Sequence, residues 1–157
     1  KEINIHFIGR LQTNKVKKAI KLCDYIQSVN SLRLLKKINN EAQKINKIQK
    51  IYLQVNIGED KNKQGFKREE IFKQAKEFLD HKNITIKGIM TILPQGLNQE
   101  QKRDLYSKTH KIQQTIQKQH FKDCLNLSMG MSDDYIEALK EGTTEIRIGT
   151  KLYGKRQ

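Results

Sequence analysis

The chain has 157 residues, 31% of them charged, with 31 Lys and Arg against 17 Asp and Glu and a formal net charge of +14. That length suffices for one domain with its own core, and a mean hydropathy of −0.77 excludes a membrane span. The positive balance raises nucleic-acid binding as a function class. Yet the basic residues are dispersed in runs no longer than Lys15-Val16-Lys17-Lys18, and aromatics, at 6%, do not interleave with them as a stacking platform needs. Lysine-coated helix faces and no specific nucleic acid are the expectation.

Strand and helix patterns alternate along the chain, which predicts βαβ units and a parallel sheet. Residues Ile3 to Gly9 read as a strand. Asn14 to Leu22 reads as a helix, with Val16, Ala19, Ile20 and Cys23 at helical spacing and Thr13 as its cap. Asp24 to Val29 is a short strand, and Ser31 caps a helix with the stripe Leu32, Leu35, Ile38 and Ala42. From Ile48 to Ile57, which reads as a strand, Ile51, Leu53, Val55 and Ile57 alternate with Tyr52, Gln54 and Asn56, so one set faces a helix layer and the other a barrel interior. The polar stretch from Gly58 to Gly65 is a loop at that strand's end. Ile71, Ala75, Phe78 and Leu79 mark a helix, Ile84 to Met90 a strand, Leu93 to Leu97 a loop, and Leu105, Ile112 and Ile116 a longer helix. Cys124 to Met129 and Thr144 to Gly149 close the series. Six strands result, each followed by a helix except the last, after which Tyr153 begins only a remnant. With one proline, Pro94, and no Ser/Gly-rich linker, residues 1–157 read as a single domain.

Few residues outside this pattern suggest chemistry. Lys1 to His6 has neither the apolar core nor the cleavage pattern of a signal peptide. Cys23 and Cys124 fit two buried thiols in a reduced, cytoplasmic protein. No histidine has metal-ligand spacing with a second ligand. His81, His110 and His120 read as solvated, and His6 as a hydrogen-bonded histidine pointing into a barrel. No G-x-S-x-G, Walker loop or G-x-G-x-x-G is present.

The informative stretch is the last thirty residues. Gly130 allows a sharp turn after its strand. Ser132 suits a helix N-cap, with Asp133 and Asp134 in the first turn. Ile136 and Leu139 share a face, and Gly142 is a natural stop. On the final strand Ile146 and Ile148 face one way and Glu145 and Arg147 the other. Two consecutive strand ends thus carry small or hydroxyl residues, Gly130 with Ser132 and Gly149 with Thr150. Backbone N–H groups there can approach an anion, and in a (β/α)8 barrel the loops after the last two strands form the usual phosphate site. A capped surface helix followed by an ordinary strand is the alternative.

Ser128-Met129-Gly130-Met131-Ser132-Asp133-Asp134-Tyr135, followed by Arg147-Ile148-Gly149-Thr150 and Tyr153-Gly154, resembles the pyridoxal phosphate homeostasis protein family, single-domain relatives of the alanine racemase barrel. The block from His6 to Lys15, the run Gln54-Val55-Asn56-Ile57, Lys63-Gln64-Gly65-Phe66 and Gly88-Ile89-Met90 match in family order along the whole chain. Ile5, where an aromatic is common, and Asn30, where Asp is usual, depart from the pattern. The chain opens on Lys1 inside what resembles the family's third strand. The expectation is therefore the C-terminal six units of a (β/α)8 TIM-type barrel. The first two units, which carry the lysine that forms the Schiff base, would lie outside it.

The resemblance implies pyridoxal 5′-phosphate (PLP) as ligand, with Ser132, Arg147, Gly149, Thr150, Met131, Asn56 and His6 as cofactor-binding residues. Arg147 resembles the arginine that donates to the pyridine nitrogen. Always protonated, it would keep that nitrogen neutral and the ring a poor electron sink. The other reading of Arg147 is a salt bridge to Glu145 or Glu59. A protein that holds PLP or delivers it to PLP-dependent apoenzymes is expected over a racemase-like enzyme, whose second base comes from a further C-terminal domain.

Overall fold

The computed structural model describes residues 3–60 and 62–154. Six strands, β1 (His6–Phe7), β2 (Tyr25–Val29), β3 (Gln49–Val55), β4 (Ile84–Thr91), β5 (Asn126–Met131) and β6 (Glu145–Arg147), form one sheet in the order of the sequence. Every pairing is parallel. Helices α1 (Val16–Leu22), α2 (Leu32–Gln43), α3 (Arg68–Leu79), α4 (Gln99–Gln119) and α5 (Tyr135–Lys140) make the crossovers, and a single turn, α6 (Thr150–Tyr153), follows β6. Because the strand order never reverses, all helices stay on one face and the sheet curls around the other. Side chains measure the curl. In a flat sheet β2 and β6 would stand about 19 Å apart. Gln27 of β2 nevertheless hydrogen-bonds Glu145 of β6 at 2.8 Å. The fold is an incomplete (β/α)8-type barrel of six units.

The alternation on β3 divides as the pattern predicts. Ile51, Leu53 and Val55 are buried in the core between sheet and helices, beside Ile26, Leu35, Ile38, Ile71, Phe78, Ile89, Ile116 and Leu127. Each fully buried aliphatic contributes about 1.5–3 kcal/mol, so this layer is what holds the helices to the sheet. Lys50, Tyr52 and Gln54 face the barrel interior. There Tyr52 lies level with Gly88 and Asn126. A Cβ on Gly88 would come within 2.4 Å of the Asn126 carbonyl oxygen, so only glycine permits this spacing of β4 and β5.

Several local expectations change. Thr13 does not cap α1: it is the first residue of a 3₁₀ turn, Thr13–Lys15, entered from Gln12 and closed by the Lys15 N–H on the Gln12 carbonyl at 2.9 Å. Ser31 does cap α2, accepting from the Leu34 N–H. Ser132 is no cap, because α5 starts only at Tyr135; Asp134 intervenes, its Oδ1 accepting the Met131 N–H at 2.6 Å. Gly130, at φ +92°, lets Ala138 seat on the strand, where a Cβ would lie 2.7 Å from the Ala138 methyl. That seat turns Glu137 and Ala138 inward and leaves Ile136 and Leu139 about half exposed, so their shared face points to solvent. The last strand is followed by a turn of helix from Thr150, earlier than the remnant expected at Tyr153. His110 is not simply solvated. Its Nδ1 donates to the Glu141 carbonyl at 2.9 Å and its ring packs where a Gly142 Cβ would sit. Both cysteines are buried and free, and burial pushes the Cys124 thiol up to about 12. Among the described residues no helix is long and apolar enough to cross a membrane.

Candidate functional site

The C-terminal ends of β5 and β6 meet as their hydroxyl and glycine residues suggest. The Gly149 N–H donates to the Ser132 Oγ at 3.4 Å, and Ser132 is buried while Gly149 and Thr150 are exposed beside it. Nothing lies within 4 Å of where a Gly149 Cβ would be, so the backbone there is open to approach. Arg147 turns inward from β6. Its Nη1 donates to the Ser128 Oγ at 2.6 Å and its Nη2 to the Thr91 carbonyl at 2.7 Å. Thr91 is itself tied to β3, its hydroxyl donating to the Val55 carbonyl at 2.9 Å. Among the described residues Arg147 makes no ion pair, so neither Glu145 nor Glu59 bridges to it directly. Burial pulls the guanidinium below its usual value, while Tyr106, Asp134 and Glu145 act in the opposite sense. Arginine stays charged under such a shift.

Arg147 forms part of the wall of a cavity of about 350 Å³, together with Met131, Asp133, Asp134, Tyr106 and Lys63. That size is in the range of small-molecule sites. Burial, with the Asp134 carboxylate nearby, raises the Tyr106 phenol well above its ordinary value, so it remains protonated.

The other two expected residues lie elsewhere. Asn56 spends its amide on the loop that follows β3, donating to the Asp60 carbonyl at 2.8 Å and accepting the Asp60 N–H at 3.2 Å. It lines a separate cavity with Glu59, Arg68 and Phe72. His6 points into the barrel, stacked on Tyr25 with ring centroids 4.3 Å apart, and accepts at Nδ1 from the Gln27 amide at 2.8 Å. It meets the Arg147 region through Gln27, and its Nδ1 also lies 3.9 Å from the Glu145 Oε2.

An interior polar cluster was not foreseen from the residue pattern. The Gln27 Oε1 accepts from the Ser128 hydroxyl at 2.7 Å, and its Nε2 donates to Glu145. Tyr52 donates to the other Glu145 oxygen and accepts from the Asn126 amide at 2.7 Å. Burial, reinforced by the Glu145 carboxylate, raises the Tyr52 phenol so that it keeps its proton. The one signal in the sequence was period two: polar Tyr52, Asn126, Ser128 and Glu145 at inward positions. It shows that they face inward and gives no partners.

Chemically, the site sets an open hydroxyl-and-amide corner near a fixed cation on a cavity wall. That donor set suits a small anionic group with further hydrogen-bond acceptors.

Comparison with known proteins gives a consistent result. The family model described as "Alanine racemase, N-terminal domain" matches residues 2–157. The pyridoxal phosphate homeostasis protein of Synechocystis sp. is 40% identical over 155 residues, 99% of this chain and 71% of that protein. PipY of Synechococcus elongatus, solved without PLP, superposes with a TM-score of 0.90 at 33% identity, covering 95% of this chain and 70% of PipY. PipY with PLP bound gives 0.89 at 29% identity, with 98% and 72% covered.

Proposed function

The chain belongs to the alanine racemase N-terminal domain family and, within it, to the pyridoxal phosphate homeostasis proteins, and from that premise we propose that it binds PLP at the C-terminal ends of β5 and β6, holding the cofactor for delivery to PLP-dependent apoenzymes in the cytoplasm. The observation that carries the reading is Arg147. A charged guanidinium is held on a cavity wall by two neutral acceptors, without a carboxylate partner among the described residues, next to the corner made by Ser132 and Gly149.

In this reading Ser132 and the N–H groups of Gly149 and Thr150 hold the phosphate. Met131 supplies wall, and Arg147 donates a hydrogen bond to the pyridine nitrogen. The permanent charge of Arg147 disfavours a second positive charge on the ring. His6 acts through Gln27, and Asn56 shapes the loop beyond β3. When bound, the cofactor supplies an aldehyde that condenses with amines and a ring that withdraws electrons. A ring kept neutral withdraws them weakly, which supports holding and delivery over turnover.

Spectrophotometric titration of the 157-residue chain with PLP tests this. Saturable binding is expected, weakened on the order of tenfold or more by Arg147→Ala, since a hydrogen bond to a charged group is worth about 1.5–3 kcal/mol. The exposed control Lys111→Ala should bind normally. Non-saturable uptake, the same in Arg147→Ala, would sink the reading. Recovery of activity by a PLP-dependent apoenzyme mixed with the loaded chain tests delivery.

A further inference from the structure

We infer that Gln27 and Ser128 are positioning residues for Arg147: with Glu145 they form a one-way chain of hydrogen bonds that fixes how the guanidinium faces the cavity. The direction follows from donor counting. Arginine only donates, so at 2.6 Å Ser128 Oγ is the acceptor of the Nη1 hydrogen. The serine has one hydrogen of its own, and it points to the Gln27 Oε1 at 2.7 Å. The Gln27 Nε2 then faces the Glu145 Oε2 at 2.8 Å, where a carboxylate accepts. Its second hydrogen goes to the His6 Nδ1 at 2.8 Å, which places the imidazole proton on Nε2. Turning the amide over would set its oxygen against the carboxylate and its nitrogen against the serine hydroxyl. Glu145 thereby dictates the polarity of every link back to Arg147.

The middle links are shielded from water, while the Glu145 side chain at the end is 28% exposed. Ser128 is 0% and Gln27 2% exposed, and in such surroundings aligned hydrogen bonds polarise one another and resist exchange. Four strands contribute, so no local segment could build the chain alone: Gln27 from β2, Thr91 from β4, Ser128 from β5, and Glu145 with Arg147 from β6. With Nη1 bound to Ser128 and Nη2 to Thr91, the guanidinium plane is fixed at two of its three nitrogens. Rotation about the Nε–Cζ bond would break both. The charge of Arg147 is answered by Glu145 through neutral groups, which leaves hydrogens of the same fork free for a ligand. This deepens the PLP reading, and it rests on that reading for the binding readout alone.

The test has two arms on the full chain. In the ligand-free protein, nitrogen-15 NMR of arginine side chains should give Arg147 separate, slowly exchanging Nη resonances, assigned by their loss in Arg147→Lys. Gln27→Leu, Ser128→Ala and the isosteric Glu145→Gln should each merge them into one averaged signal. In the second arm, PLP titration should weaken on the order of tenfold in Ser128→Ala and in Gln27→Leu. The double variant should lose no more than the worse single one, as expected for two links of one unit. Far-ultraviolet circular dichroism checks folding. Should Gln27→Leu fail to fold, Ser128→Ala, one oxygen smaller, decides. Averaged Nη signals in the unaltered chain, or Nη signals untouched by Ser128→Ala, would overturn the positioning role. So would additive losses in binding. An unaltered chain that takes up no PLP defeats the ligand reading, while the NMR arm still decides the positioning role.

Discussion

Glu145 and Arg147 stand two residues apart on β6 and face the same side, yet among the described residues no direct ion pair joins them; Gln27 and Ser128, brought from β2 and β5, link them by hydrogen bonds. A guanidinium paired directly with the carboxylate would have its charge neutralised at close range. Spacing the two charges keeps the cation held and available.

Tyr52 is the other support of Glu145, donating to it while fully buried. Tyr52→Phe is expected to lower stability by about 2 kcal/mol, because a carboxylate loses a buried donor. Urea denaturation at pH 7 measures it. Adding Glu145→Gln should recover part of the loss, and an equal or greater loss in the double variant would show that the carboxylate does not depend on the phenol.

Alkaline stability should fall in a way set by Tyr52 and Tyr106. Both phenols have folded pKa values raised by burial and by neighbouring carboxylates. Their contribution is fully present below about pH 10, where the unfolded phenol titrates. Above it the unfolded chain releases protons that the folded one retains, so stability drops by about 1.4 kcal/mol per pH unit for each phenol. Denaturation midpoints from pH 9 to 11.5 should decline less steeply in Tyr106→Phe. A slope identical to that of the unaltered chain would contradict the assignment.

Cys124 should resist alkylation. With its thiol pushed up to about 12 by burial, almost no thiolate exists at pH 8. Iodoacetamide labelling followed by peptide mapping is expected to modify Cys124 only as fast as the chain opens, and denaturant should accelerate it. Rapid labelling of the native chain would show that the β5 end is open.

Gly88→Ala should disturb the barrel interior. The added methyl would lie 2.4 Å from the Asn126 carbonyl oxygen and 2.9 Å from the carbonyl carbon, both backbone atoms. Overpacking of this kind costs about 1–3 kcal/mol or more. The thermal midpoint should fall, and PLP binding with it, since β5 carries Ser128. An unchanged midpoint would mean that β4 and β5 can part without penalty.

Association should rise with salt. Among the described residues β1 and β6 each have one neighbour in the sheet, and Ile5, Leu152 and Tyr153 nearby are 54%, 70% and 86% exposed. Unpaired edges with apolar side chains invite pairing, and the net charge of +14 opposes it only until ions screen it. Sedimentation velocity from 50 mM to 1 M salt should show growing oligomers. A monomer throughout would show that the curled edges protect themselves.

The sequence by itself determined the succession of strands and helices, because period-two and helical spacing depend only on neighbours along the chain. It also determined that Glu145 and Arg147 face the interior, and that Ser132 and Gly149 sit at strand ends. The end of a helix such as α5 was less legible: Asp134 and the Gly130–Ala138 contact, not the caps Ser132 offered, decided where it starts and which face it buries. Only the tertiary structure decided what Arg147 touches. The curl that brings the Gln27 side chain of β2 to 2.8 Å from the Glu145 side chain of β6 sums small twists over the whole sheet, and hydrogen-bond partners 118 residues apart leave no trace in local spacing. The same polar alternation could have faced water in a flat sheet; the curled geometry turned it into a directed chain from carboxylate to guanidinium.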